Sequence, residues 1–520
     1  MKLPARAIQK YDIIRRSLDA RRSGQIQWVY HLAVTVDGDE SVIIRQADSH
    51  RVTHFEEPNS PHIEPGTEKL DHPPVIIGSG PAGLFAALAL AEAGYHPILL
   101  ERGQDATSRH RARHIFYTTG SFDPENNLLF GIGGAGTYSD GKLYSRTHDP
   151  RNTAVLKDLI RHGADPGILI DAKPHIGSDR LPGICRKIVK RIIEKGGQVH
   201  FGAKVVDIET TDTAPDGLRI RAVVLETGQR IPTAACILAI GYSARDTYRM
   251  LADRGVQLAA KPFQLGVRIE HPQDMINRNQ FGPAADRLPP ADYHLVAKGA
   301  VAPSENLQIV HSEGADLWSF CMCPGGIILP SNESHNEICT NGASNAKRNS
   351  PFANSGLVVT ITPDHFNNDP FGGIEYQRRF ERLAYQLSGS YAVPAQRAND
   401  FLANRISTGT LETSYPLGSK SLDIRAILPT IVSDALARGL PLLDRKIPGY
   451  SSDQGIITGP ETRASSPVRI PRDDTTRQSL TVAGIYPVGE GAGYSGGIMS
   501  SATDGLKSAE VLISRYAPLT

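Results

Sequence analysis

The chain has almost no charge excess of either sign: 56 lysines and arginines stand against 55 aspartates and glutamates in 520 residues. A nucleic-acid-binding surface normally shows a strong basic excess, so no such partner is expected. No apolar run approaches the roughly 18 residues needed to cross a bilayer, so no membrane partner is expected. The first residues, Met1 to Arg6, are charged and lack the apolar core of a signal peptide. Cysteine is scarce and odd in number (Cys185, Cys236, Cys321, Cys323 and Cys339). That argues against a disulfide framework and fits a reducing cytoplasm. No HExxH, HxH or paired CxxC spacing is present, so no metal site is expected.

At this length two or three domains are expected. Residues 1–65 read as a small α/β unit: a helix over 10–22 with Ile13, Ile14 and Leu18 on one face, then strands over 28–36 and 41–46. Residues 56–72 turn rich in Pro, His, Glu and Gly and read as a linker. From 72 to 262 short apolar strands alternate with helices and antiparallel strands, the pattern of a nucleotide-binding α/β domain. Residues 263–440 read as a separate α+β substrate domain, and 441–520 as the return to the first.

The chemistry starts at residues 74–101. A short buried strand runs into Gly78-Ser79-Gly80-Pro81-Ala82-Gly83, an apolar helix follows, and a second strand ends in Glu101. GxGxxG alone is weak, but here it has the strand, helix and acid of a Rossmann unit around it. Gly78 permits the tight turn, Gly80 lets backbone approach a pyrophosphate, and Gly83 lets helix pack on strand. The helix start binds phosphate through free N–H groups and its dipole. Glu101 is placed for the adenosine ribose, and its charge disfavours a 2′-phosphate.

NAD and FAD share this fingerprint, and two further segments separate them. Residues 131–141 (GIGGAGTYSDG) form a second glycine-dense loop without a Rossmann unit of its own. Gly134, Ala135, Gly136, Thr137, Asp140 and Gly141 would wrap an extended cofactor. Residues 486–499 follow a strand and lead into the last helix. Glu490 would meet ribityl or phosphate hydroxyls, and Gly497, Ile498 and Met499 would put a positive helix end against the pyrimidine edge of a flavin. A plain NAD dehydrogenase needs no cofactor contact so far downstream, so FAD is the expected cofactor. Arg102, Val205, Ala239 and Gly241 complete the expected contacts. Arg109, with Arg111 and Arg113, reads either as reaching FAD phosphates or adenine or as solvated.

The chain resembles the bacterial FAD-dependent dehydrogenases grouped as uncharacterised NAD-utilising dehydrogenases. The likeness is carried by residues 15–22, 133–143, 174–179, 243–247, 266–272, 320–326, 461–463 and 489–497. It implies a glutathione-reductase-like FAD domain assembled from separated segments, an inserted second domain and a small ferredoxin-like N-terminal unit. It implies no substrate. Three positions depart from the pattern: Ile132 where an acid is usual, Tyr242 where a His is usual, and Ala343 where a Met is usual.

Tyr242, just past an apolar strand, is a candidate acid, with packing against the adenosine as its structural alternative. His175 is a second candidate, or the cap of the helix after it. Cys321 and Cys323 lack the C-x-x-C spacing of disulfide reductases and read as buried structural thiols. Arg268, Glu270 and His271 read as a carboxylate clamp or an ion pair. The expected function is hydride transfer between flavin N5 and a small organic substrate, and NAD(P)H, if used, visits a transient site. A flavin monooxygenase is the alternative enzyme, although Gly-Glu-Gly-Ala-Gly (489–493) replaces the Gly-Asp and Ala-Ala-His of aromatic hydroxylases. A tRNA-modifying flavoprotein or a non-catalytic binder is the alternative from another class. Oligomeric state is left open.

Overall fold

The structure is a computed structural model that describes residues 8–21, 25–46, 51–58, 61–145, 149–211, 217–300 and 316–519. Its first domain is built on a five-stranded parallel sheet in the order Ile485–Pro487, Cys236–Leu238, Val75–Ile77, Ile98–Glu101, Gln198–Phe201. The central strands are apolar without alternation because both faces are covered, one by helices and the other by antiparallel strands 205–232 with helix Arg245–Asp253. Helices Pro81–Glu92, Leu181–Glu194 and Ile498–Arg515 pack with this sheet into one core. Strands Val205–Thr211, Leu218–Leu225 and Arg230–Pro232 pair antiparallel beside it, as their alternation predicts.

The second domain is a seven-stranded sheet in the order Val296–Ala297, Leu317–Cys323, Phe352–Ile361, Phe263–Pro272, Ile456–Glu461, Val393–Arg397, Ser419–Ser421. Strand Ile456–Glu461 pairs with both Phe263–Pro272 and Val393–Arg397. The second domain therefore runs past the expected boundary at 440 and through residue 461. Ala259–Ala260, on the way in, pairs with Val468–Arg469, on the way out, so the two crossovers are stitched to each other.

The N-terminal unit differs from expectation. Residues 10–21 hold no helix: Ile8–Asp19 is a strand, paired antiparallel with Gln27–Val36 through Ile13↔Leu32 and Leu18↔Trp28. A bulge between Ile13 and Arg15 breaks the two-residue alternation, which left the apolar spacing looking helical. The last part of the expected helix, residue 22, lies outside the described residues. Conversely, 41–46 is no strand but part of helix Glu40–Gln46, because Asp39 accepts from the Ser41 N–H (2.9 Å) as a helix cap does. Among the described residues this hairpin and short helix are not the ferredoxin-like β-α-β-β-α-β order implied by the resemblance. No described helix is long and apolar enough to cross a membrane.

Candidate functional site

The fingerprint takes its shape from glycines that tolerate no side chain. A Cβ on Gly83 would lie 1.8 Å from the Gly78 carbonyl oxygen, and Gly78 holds φ +100° with the Ala239 carbonyl 2.4 Å from its Cβ position. Gly80 differs: nothing lies within 4 Å of where its Cβ would stand. Helix Pro81–Glu92 starts directly after it, Gly80 offers no capping side chain, and Pro81 has no N–H, so the Ala82 and Gly83 N–H groups are left at an open helix end. Open space over a helix N-terminus is what a pyrophosphate needs.

Two other segments close on this point. Gly133 donates to the Ser79 carbonyl (2.9 Å), and Gly134 lies against Gly80. The Cβ position of Gly136 is 3.2 Å from Ile498 and 3.4 Å from Pro81. Ile498 opens the last helix, whose first residues also lack a capping side-chain hydrogen bond at Gly497. The fingerprint, the second glycine loop and the C-terminal helix thus meet at Gly80, Pro81, Gly136 and Ile498. Gly491 abuts the Gly241 backbone, and the Tyr248 hydroxyl donates to the Gly491 carbonyl (2.7 Å), which brings the Ala239–Gly241 strand end to the same place. Asp504, held by Arg472 and Arg477, accepts from the Gly489 N–H (2.8 Å) and fixes the start of that loop.

Several expected contacts have other partners. Glu101 accepts from the Ser79 N–H (2.8 Å), the Ser79 hydroxyl (2.7 Å) and the Gly103 and Gly131 N–H groups (2.9 Å each). It ties the two glycine loops together, so any ribose hydroxyl shares an already committed carboxylate. Arg102 is not aimed at a cofactor: it forms bidentate pairs with Glu125 and Asp246, which Lys204, the neighbour of Val205, also contacts. Arg109 is neither solvated nor free to reach phosphate. It is fully buried and donates to the carbonyls of Asn127, Leu128, Gly131, Ile132 and Gly134. Asp140 pairs with Arg348 (2.6 Å), and the Thr137 hydroxyl donates to the Ile132 carbonyl. Ala135 packs with Leu129, Phe130 and Ala244, and Gly141 (φ +70°) receives the Ile176 N–H on its carbonyl.

Arg109 is thus the keel of the 127–134 loop, a role with no sequence signal because its acceptors are all main chain. Replacing it with methionine takes the side-chain donor from the buried Asn127 and Leu128 carbonyls and one donor each from Gly131, Ile132 and Gly134, and is expected to destabilise the protein by about 3 kcal/mol or more. A thermal melt of the variant tests this; an unchanged midpoint would reject the role.

The two candidate acids stand apart. Burial and the Glu490 carboxylate push the Tyr242 phenol well up, so it stays a donor. His175, half-buried, bonds to the Ala346 carbonyl through Nε2 (3.2 Å), and burial with nearby Arg348 lowers it. It belongs to the Asp140–Arg348 side, not to Tyr242, and shows no capping of the helix after it. Burial raises Glu490 to about 8, against the pull of Lys261. Its folded value lies above the ordinary value near 4.5, so the folded chain holds the proton longer than the unfolded one. The contribution of Glu490 to the stability of the cofactor-free protein therefore falls as pH rises from about 4.5 to about 8. Denaturant melts across that range should flatten in Glu490→Gln by about one proton's worth of slope; an identical slope would contradict this.

Arg268, Glu270 and His271 do not act together. Arg268 is bidentate to Glu461 (2.6 and 2.7 Å), Glu270 is bound by Ser414, and His271 bonds to the Tyr450 carbonyl (2.8 Å). A buried cluster was not expected at all: Arg245 and Arg463 converge on Glu381 (3.1 and 2.8 Å), with Glu333 and Glu337 around them. Its members are too scattered in the chain for any motif to reveal.

Residues 71–119 match the model of an FAD binding domain, and residues 262–464 match that of the FAD-dependent protein, C-terminal domain-like family. An uncharacterised protein of Clostridium beijerinckii is 41% identical over 516 residues, covering 98% of this chain and 93% of its own. Among solved structures, the L-amino acid deaminase of Proteus vulgaris is 11% identical with a TM-score of 0.35, covering 88% of this chain and 94% of its own. Glycine oxidase of Geobacillus kaustophilus is 12% identical with a TM-score of 0.31, covering 87% and 97%. The second-domain model ends at 464, where the structure closes its sheet, and the FAD model covers the strand–glycine loop–helix that leaves open space at Gly80. This chain belongs to a family of FAD-dependent proteins, and its cofactor is FAD.

Proposed function

We propose that the protein is an FAD-dependent dehydrogenase or reductase of the glutathione-reductase-like type, in which bound FAD supplies the hydride donor or acceptor for a small organic substrate. The observation that carries this reading is the meeting of two uncapped helix N-termini, at Gly80–Pro81 and Gly497–Ile498, across the Gly133–Gly136 loop. The first suits a pyrophosphate and the second a group that gains negative charge on reduction. Ala82 and Gly83 would bind through backbone N–H groups. Glu490 and Tyr242, both still protonated at neutral pH, would present hydrogen-bond donors at the same loops. The balanced net charge supports a small molecule rather than nucleic acid as partner. The sequence expectation of a cytoplasmic protein fits five unpaired thiols.

The test is to load the purified protein with FAD and mix it anaerobically with NADH, then NADPH, following the flavin absorption band. Rapid bleaching assigns the reductase direction, with NAD(P)H visiting transiently. A stable band that bleaches only with an organic substrate assigns the dehydrogenase direction. A protein that takes up no FAD, or one that consumes oxygen to hydroxylate a substrate, would overturn the proposal.

A further inference from the structure

The Cys321-Met322-Cys323 segment plays no part in the function above, and its geometry is unusual for structural thiols. Strand Leu317–Cys323 pairs with Phe352–Ile361 in register up to Phe320↔Gly356, then slips and resumes at Cys323↔Asn354. Two residues, Cys321 and Met322, therefore face one, Ser355, in a bulge. Cys321 sits at φ +44°, a left-handed conformation that a residue with a Cβ adopts only where its surroundings impose it. The kink folds the segment back on itself, so that the Cys323 thiol donates to the Cys321 carbonyl (3.3 Å). In a regular strand, one residue apart, the two side chains would only run parallel.

The bulge also joins the two domains. Lys142, at the end of the second glycine loop, donates to the Met322 carbonyl, and Arg268 Nη1 reaches the Cys321 carbonyl (3.4 Å). Cys321 is partly exposed, whereas Cys323 is fully buried. Lys142, Arg268, Asp140 and Cys323 act on the Cys321 sulfur, which in turn acts on Glu461 and Glu490. Two cations are thus bonded to the carbonyls of the bulge, Lys142 from the end of the glycine loop and Arg268 from the second-domain sheet.

We infer that Cys321 and Cys323 form a redox-active dithiol that exchanges with a small disulfide, Cys321 being the attacking thiolate and Cys323 the resolving thiol. The Cys321 thiolate attacks one sulfur of RS–SR; the Cys321–SR bond forms, the substrate S–S bond breaks, and RS⁻ leaves. Cys323 then gives up its proton and attacks Cys321 Sγ. The internal disulfide forms, the bond to SR breaks, and the second thiolate leaves and takes that proton. Two cysteine sulfurs are oxidised and one substrate disulfide is reduced to two thiols; two molecules of a small thiol reverse the exchange.

The electrostatics divide the roles. The neighbouring Cys323 side chain holds Cys321 below its ordinary value, helped by Lys142 and Arg268 against burial and Asp140, while Cys323 is raised well above its own. The other cysteines move the opposite way from Cys321: burial raises Cys185 and Cys339 to about 11 and Cys236 to about 12. Cys321 is thereby the most readily ionised of the five thiols.

The test uses the full chain loaded with FAD. Iodoacetamide at about pH 6 should label Cys321 roughly tenfold or more faster than Cys185, Cys236 or Cys339, read by site-resolved peptide mass spectrometry. Glutathione disulfide should then produce a Cys321–Cys323 bond, a loss of about two mass units, in unlabelled wild-type protein. In Cys323→Ser it should instead leave glutathione on Cys321. Labelling of Cys321 that begins only above about pH 8, like an ordinary thiol, would overturn the assignment of the attacking sulfur. Glutathione persisting on wild-type Cys321, or no reaction at all, would overturn the pairing. These readouts are independent of turnover at the flavin.

Discussion

Alanine at Gly83 is expected to abolish FAD retention and to destabilise the fold, whereas alanine at Gly80 is expected to weaken retention alone. The two positions belong to one motif and their environments are opposite. At Gly83 the new Cβ would stand 1.8 Å from the Gly78 carbonyl oxygen, 3.0 Å from its carbon and 3.3 Å from the Ala239 side chain. Backbone cannot swing away as a flexible side chain can, so the fingerprint helix must move off the sheet. Overpacking of this kind costs about 1–3 kcal/mol and more where backbone is the obstacle. The helix also contacts Gly505 of the C-terminal helix, whose own Cβ would come within 2.1 Å of the Ala82 carbonyl, so displacement spreads. At Gly80 the Cβ would meet no protein atom within 4 Å, and the residue lies at φ −66°, ψ −179°, which alanine adopts readily. Its melting behaviour should stay within about 1 kcal/mol of the parent. The methyl instead fills the space through which backbone approaches a pyrophosphate, and affinity for FAD should fall roughly tenfold or more, about 1.4 kcal/mol. Thermal melts of the cofactor-free proteins beside FAD titrations separate the outcomes. A Gly80→Ala protein that binds FAD like the parent would show that the open space at the helix end is not the phosphate site.

Which features were legible in the sequence follows from how local their causes are. The Val75–Ile77 strand, its glycine loop and Glu101 form one contiguous supersecondary unit, and each residue type there has a single geometric reason. The two later glycine loops were legible as loops for the same reason. The boundary at 440 was not, because strand Ile456–Glu461 carries Gly459-Pro460, and a proline inside a strand normally argues against one. The N-terminal hairpin was misread because a bulge mimics helical spacing over a few residues. Arg109 read as a ligand of FAD phosphates or adenine or as a solvated side chain; its true acceptors, five main-chain carbonyls, have no side-chain signature. The cysteines read as buried structural thiols because they lack C-x-x-C spacing, and the slip after Phe320 that folds them together has no sequence signal. The Arg245–Arg463–Glu381 cluster, unforeseen as well, depends on residues brought together from distant parts of the chain.

The strongest such dependence lies under the cysteine bulge. Arg268 and Glu461 are almost wholly enclosed, at 0% and 2% side-chain exposure, and paired through both guanidinium nitrogens. Burial alone would lower Arg268, but the Glu461 charge and hydrogen bonds outweigh it and hold the guanidinium above its ordinary value, firmly charged. Asn354 accepts from Nη1 at 2.8 Å, so most of the fork is satisfied. Arg268→Met fits a side chain of similar length into the strand but leaves Glu461 buried without its cation. The expected loss is about 3–5 kcal/mol, the penalty of the stranded carboxylate rather than the worth of the pair. Removing both charges, as Arg268→Met with Glu461→Leu, should recover much of it, because a buried ion pair often contributes no more than well-packed apolar groups of similar volume. The single variant should also gain stability on acidification, since a buried carboxylate without a partner is retained more easily as the neutral acid. Chemical denaturation of the three proteins at two pH values completes the cycle. A double variant as unstable as the single would mean that the pair, not merely the unpaired acid, maintains the junction between the second-domain sheet and the bulge. A single variant as stable as the parent would show that water reaches Glu461 and that the site is open where the structure has it closed.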